Sequence, residues 1–263
     1  MSSLTTLQEE FVTHRFYEIE KYLKRKATNP YTNTVNIIIS TMQKVFEKYD
    51  NYPDTFKYLL ISQDLEKVGL YKQIQQQYGV MGEEFSEFMQ SYLYDLYLQT
   101  EKHSNQIITN EEYHATPFAL PPSVEKWKGK TFVQGAEMVL LIKLLIYNHK
   151  SMKEITTQLE LKTGGHIYEA KRMARTETAE TINTTALGVW EKSGITKVKW
   201  TDATEHIQFV NRKGNKKVTK VCKNCRSFAT GGEGGKGIYT INQLPSPCPA
   251  HPNCRCTLVP IKK

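Results

Sequence analysis

The chain has 263 residues, enough to bury a substantial core in one or two domains, and a formal net charge of +8. That charge is uneven: residues 197–263 carry 13 Lys and Arg against 3 Asp and Glu, whereas residues 1–196 carry 22 against 24. No apolar run matches the roughly 20 residues of a bilayer-spanning helix, and the longest, Met138 to Tyr147, has Lys143 in its middle, so it reads as a core helix.

The first residues lack the basic start and apolar stretch of a secretory leader, so cytosolic synthesis is expected. Leu7, Phe11, Phe16, Ile19 and Leu23 then recur at helical spacing. Thr28-Asn-Pro30 is expected to break that helix, with a second beginning near Thr32 and ending at the turn signal Asp50-Asn-Tyr-Pro53. The clearest later helix runs from Glu83 to about Glu101, where Phe85, Phe88, Met89, Tyr92, Leu93, Leu96 and Tyr97 form a core-facing stripe. Ala115-Thr-Pro117 and Leu120-Pro-Pro122 mark the best candidate boundary. An apolar helix follows around 134–149. Ser151-Met-Lys-Glu154 has the form of a capping box, and Thr163-Gly164-Gly165 is expected to close the helix it opens.

A further helix is expected from about His166 to Ser193. Glu177 falls on the same side as Ala170, Met173 and Ala174, and a carboxylate there needs a partner or solvent. Past Gly194 the pattern alternates: Ile195 to Trp200, His206 to Val210 and Lys217 to Val221 read as short strands, the last two as a hairpin. Its tip and exit carry Arg212, Lys213, Lys216, Lys217 and Lys220. These cations form either a solvated surface or a salt-sensitive contact with phosphates, double-stranded DNA bound without sequence preference being the candidate partner.

All five cysteines follow. Cys222-Lys-Asn-Cys225 precedes a glycine-rich loop, Gly231 to Gly237, and then Cys248-Pro-Ala-His251-Pro-Asn-Cys254-Arg-Cys256. Cys222, Cys225, His251, Cys254 and Cys256 offer five ligands for the four corners of a Zn²⁺ site, and Cys248 is a sixth possibility. A catalytic zinc needs an open position and a nearby base, and Glu233 is the one acidic residue close by, so a structural site is expected. The glycine run lacks the P-loop spacing and reads as a flexible loop with a short strand near Tyr239. No nucleophile triad is evident, since the other histidines are scattered; a non-enzymatic role is expected. A zinc-dependent nuclease and a zinc-ribbon DNA-binding protein are the alternatives. The fold class is α+β: a helical region over 1–115, a second helical part over 116–193 and a small basic Cys/His module over 194–263.

Taken in order, several segments resemble the phage head-morphogenesis family, the Mu F-like minor head proteins. They are Trp127-Lys-Gly-Lys-Thr-Phe132, the helix Ala170-Lys-Arg-Met-Ala-Arg-Thr-Glu-Thr178 with its Arg175, Thr176 and Glu177, the strand Lys197-Val-Lys-Trp200, and Cys222-x-x-Cys225 with Pro249-Ala-His-Pro-Asn-Cys-Arg-Cys256. The chain departs from that pattern at Thr219-Lys220, where the family usually has an acidic residue, and residues 1–115 carry none of its motifs. The resemblance implies a minor structural protein of a tailed-phage virion. Such a protein is assembled in the host cytoplasm at the portal and procapsid, and in some relatives contacts packaged DNA or aids its delivery.

Overall fold

The computed structural model describes residues 4–108, 113–202, 209–210, 216–217 and 222–262. The fold is α+β, mostly helical, with a small antiparallel sheet near the C-terminus. The helices are α1 (Leu4–Leu23), α2 (Asn29–Lys48), α3 (Asp54–Lys67), α4 (Leu70–Ile108), α5 (Pro122–Glu125), α6 (Trp127–Tyr147), α7 (Met152–Lys192) and α8 (Lys223–Thr230). The strands are β1 (Lys197–Thr201), β2 (Phe209–Val210), β3 (Lys216–Lys217), β4 (Ile238–Thr240) and β5 (Thr257–Ile261). They group into two compact units, each discontinuous in sequence: residues 1–21, 91–120 and 172–263 in one, residues 22–90 and 121–171 in the other. The linear division at 115 and 193 follows chain order, whereas these units interleave.

The helical unit buries Ile38 and Met42 of α2, Ile61 and Leu65 of α3, Ile74, Tyr78 and Met89 of α4, Met138 and Ile142 of α6, and Ile155 and Leu159 of α7. Two glycines allow close helix approach. A Cβ on Gly82 would lie 1.8 Å from Thr131 Oγ1, and one on Gly135 would lie 2.9 Å from the Tyr78 Cβ. Several buried polar groups of this unit are paired across its helices, as burial favours. Tyr31 donates to Gln134 Oε1 at 2.7 Å, Gln134 donates to Glu169 at 2.8 Å, and the Tyr78 hydroxyl lies 3.2 Å from His166 Nδ1.

Three sequence expectations change. Thr28-Asn-Pro30 does not interrupt the helical path: a π-helical segment, Lys24–Thr28, connects α1 to α2. Pro30 lies at the first turn of α2, where a missing N–H costs least, and the wider turn lets Asn29 N–H donate to Lys24 O. Gly164-Gly165 does not end a helix either. Helix α7 runs through it, because Ile155, Leu159, Thr163, His166 and Ala170 are buried at helical spacing and outweigh a propensity cost of about 1 kcal/mol per glycine. Helix α4 extends well beyond 83–101, to Leu70 and Ile108. The capping box forms as expected. Ser151 N–H donates to Glu154 Oε2 at 2.9 Å, and Glu154 N–H reaches Ser151 Oγ at 3.4 Å.

In the other unit, β1 pairs antiparallel with both β4 and β5 in the order β4-β1-β5, and β2 pairs with β3 as the expected hairpin. Val198, Trp200 and Leu258 of this sheet pack with Ala186, Val189 and Trp190 of α7 and with Cys225, Cys248, Cys254 and Cys256 in one buried cluster. Strand β5 and helix α8 are additions to the sequence reading.

Candidate metal centre

Cys222 is the N-cap of α8, and its Sγ accepts the N–H of Cys225 at 3.2 Å. The Cys-x-x-Cys spacing thus puts one sulfur at the mouth of a helix and the other one turn inside it. Cys225 is the hub: its Sγ lies 3.1 Å from His251 Nε2 and 3.6 Å from Cys254 Sγ. Two ligand-like groups share it, Cys222–Cys225–His251 and Cys225–Cys254–Cys256, with the donor atoms of each group within 4.8 Å of one another. Tetrahedral geometry at zinc–sulfur distances of about 2.3 Å places sulfurs about 3.8 Å apart, close to the Cys225–Cys254 separation. All five sequence-proposed ligands therefore converge, and the cluster can hold a metal ion.

The histidine is set for that task. Its Nδ1–H donates to Pro252 O at 2.9 Å, which leaves the Nε2 lone pair facing the sulfurs. Contact with that carbonyl, supported by the Cys254 and Cys222 sulfurs, pushes the His251 pKa up. Hydrogen bonding from the Cys256 thiol, aided by backbone groups of Cys256 and Ala250, holds Cys254 down to about 5 against its burial. Its proton-sharing partner Cys256 is correspondingly raised, by Cys254 first and by burial second. Burial raises Cys225 as well, while Cys222, though partly buried, is lowered overall by the Cys225 amide and thiol and by His251. Cys248 stands apart: its thiol donates to Cys256 O at 3.4 Å, and burial pushes its pKa far up. It belongs to the core packing rather than to either ligand group.

Helix α7 supports the loop that carries the downstream ligands. Thr176 Oγ1 accepts the N–H of Asn253 at 3.1 Å, where Asn253 holds a left-handed φ of 64° between His251 and Cys254. Asn183, 1% exposed, receives the Leu258 N–H at 3.0 Å and donates to Cys256 O at 3.3 Å. Glu20 of α1 pairs with Arg175 at 2.5 Å and with Arg255 at 3.7 Å, and Arg255 also lies over the Phe16 ring. Glu177 of the same helix is buried. Asn253, Arg255 and Glu20 were not singled out from sequence. Glu20 carries no local signal, being 155 residues from Arg175.

The glycine-rich loop is built into the unit rather than hanging free. Gly237 N–H donates to Gly231 O at 2.7 Å, its carbonyl accepts from Trp200 N–H at 2.8 Å, and its positive φ of 70° sits where a Cβ would meet Ala229 O at 2.6 Å. Glu233, the nearby acid, pairs with Lys197 at 2.7 Å. Of the basic candidates, Arg212, Lys213 and Lys220 lie outside the described residues, and Lys216 and Lys217 form β3, paired with Val210 and Phe209. Among the described residues no helix is long and apolar enough to cross a membrane. No family profile, curated protein or solved structure matches the chain.

Proposed function

We propose that this chain is a minor head protein of a tailed bacteriophage, non-enzymatic and metal-stapled, acting at the portal during head assembly. The observation that carries the reading is the Thr176–Asn253 hydrogen bond. It joins two motifs that suggest the family, the Ala-Arg-Thr-Glu helix and the Pro-Asn-Cys-Arg-Cys loop, across 77 residues of chain. Asn183 and Glu20 tie the same two segments again.

The metal in this reading is Zn²⁺ in a structural role, held by Cys222, Cys225, His251 and Cys254, with Cys256 beside the fourth corner. A thiolate-rich donor set favours zinc among the common divalent ions, and a closed set of protein ligands suits a staple better than a reaction centre. The staple's task is to keep the short elements around α8 and the sheet on α7, where the stretch from Cys222 to Cys256 is too short to build a large core of its own. The basic composition of residues 197–263, 13 Lys and Arg against 3 Asp and Glu, supports contact with DNA phosphates at the portal.

Affinity purification of the tagged chain from infected cells, together with mass spectrometry of mature particles, tests the reading. Recovery of portal protein with it, and about one zinc per chain by elemental analysis, is the expected outcome. Absence from both portal complexes and particles would reject the head-protein role, and zinc far below stoichiometry in reduced protein would reject the staple.

A further inference from the structure

The exposed face of α6 is apolar along its length. Phe132, Val133, Leu140, Leu144 and Tyr147 are between 48% and 81% exposed, while Gln134, Met138, Ile142 and Ile146 point into the core. A surface helix ordinarily sets charges opposite its buried stripe, and scattered single apolar residues need no account. Here five share one side of a single helix. Between Thr131 and Tyr147 the only charges are Glu137 and Lys143, both on the exposed side.

The order of these residues is self-complementary about Leu140. Val133, Leu140 and Tyr147 recur every seven positions, with Ala136/Glu137 and Lys143/Leu144 between them, which is the spacing of a helix–helix seam. Two copies of α6 laid antiparallel with Leu140 at the two-fold axis bring together residues equidistant from it on opposite sides. Leu140 then meets its own copy, the small Ala136 faces the larger Leu144, and Val133 faces Tyr147. Glu137 faces Lys143, twice. Both the size pairing and the charge pairing thus fit a second copy of the same helix, as an isologous interface requires. Within the chain Glu137 pairs with Lys162 and the Lys143 ammonium lies 4.8 Å from the Tyr71 ring centre, so the cross-seam pairs form by sharing or exchanging these contacts.

We infer that α6 is a homodimer interface, and that a second copy of this chain covers its exposed face as an antiparallel helix pair centred on Leu140. The seam lies on the order of the smallest specific interfaces, about 1,000 Å², so a dimer of modest affinity is expected. This inference rests on the α6 face alone and is independent of the head-protein reading.

Sedimentation equilibrium of the full chain gives the test. The wild type should show twice the chain mass at about 100 µM, a concentration matched to an interface of this size. Leu140→Glu should be monomeric with unchanged helical circular dichroism. Glu137→Lys and Lys143→Glu should each dimerise at least about tenfold more weakly, since each sets like charges in contact. Mixing these two variants should restore the dimer, because opposite charges then meet at both positions. A monomeric wild type, a dimer that survives Leu140→Glu, or charge variants that self-associate like the wild type would each overturn the inference. So would a monomer whose α6 face is instead protected from labelling only by a different protein or by lipid vesicles.

Discussion

At the residue scale, Cys254 and Cys256 differ in a way their spacing hides. Both are buried, but Cys254 carries the lowered pKa and sits 3.6 Å from Cys225, while Cys256 gives its proton toward Cys254 and its carbonyl to Asn183 and Cys248. Cys254→Ser should therefore lower zinc affinity by at least about 100-fold, whereas Cys256→Ser should retain stoichiometric zinc with a loss of roughly tenfold or less, as read by chelator competition. Two histidines make a separate prediction. Burial, helped by Lys162, holds His166 down to about 4 despite the opposing Glu137 and Glu169, and burial with Arg15 does the same for His103. The unfolded chain, with histidines near pKa 6.5, binds more protons than the folded one between these values. Stability from both is thus present above about pH 6.5 and lost as pH falls toward 4, on the order of 1–2 kcal/mol each. Urea unfolding at pH 7 and pH 4.5 should show the drop, and His166→Gln should remove part of the pH dependence without abolishing folding.

At the element scale, glycines inside helices have opposite meanings that only packing separates. A side chain at Gly164 or Gly165 meets nothing within 4 Å, so Gly164→Ala should raise stability by up to about 1 kcal/mol. Gly82→Ala, by contrast, drives a Cβ into Thr131, whose Oγ1 bonds Trp127 O and Lys128 O, and should cost roughly 1–3 kcal/mol. Thermal unfolding of the two variants checks the sign as well as the size. The same contrast shows what was legible in the sequence. The capping box at Ser151 and Glu154 was readable because all its atoms lie within one helical turn. The Gly-Gly pair misled because its local signal is weak beside the buried row of α7 on either side. The convergence of Cys222, Cys225, His251, Cys254 and Cys256 was readable from spacing, since metal geometry restricts which residue types and intervals occur. Their supports, Glu20 and Asn183, were not readable as supports, because nothing near them in the chain announces a partner 73 or more residues away.

At the scale of the whole molecule, the two compact units interleave along the chain, so sequence segments are not folding units. The basic Cys/His stretch, 194–263, contains every candidate ligand but lacks Thr176, Asn183, Ala186, Val189 and Trp190, on which its loop and sheet pack. Expressed alone, it should bind zinc at least about tenfold more weakly than the full chain and show no cooperative melting transition, because its polar tethers and the α7 side of its core are missing. Calorimetry of the fragment beside the full chain checks this. A fragment that melts cooperatively with native zinc affinity would mean that the cluster stands by itself.

Asn183 has one more consequence, which concerns error. Cys254 and Cys256 are two residues apart, and a strand shifted by two keeps the same faces in and out, so hydrophobic patterning does not reject that shift. The metal does not reject it either, because one thiolate would simply replace the other. Asn183 rejects one direction of it. Setting Cys256 where Cys254 belongs brings Val259 and Pro260 to the places of Thr257 and Leu258, so Asn183 Oδ1 loses both the Thr257 hydroxyl and the Leu258 N–H. Its Nδ2 keeps Ala179 O, but a buried oxygen left without a donor costs about 1–3 kcal/mol. Asparagine and proline together act as a one-way indexing pin, counting residues where neither sheet pattern nor metal can tell two positions apart.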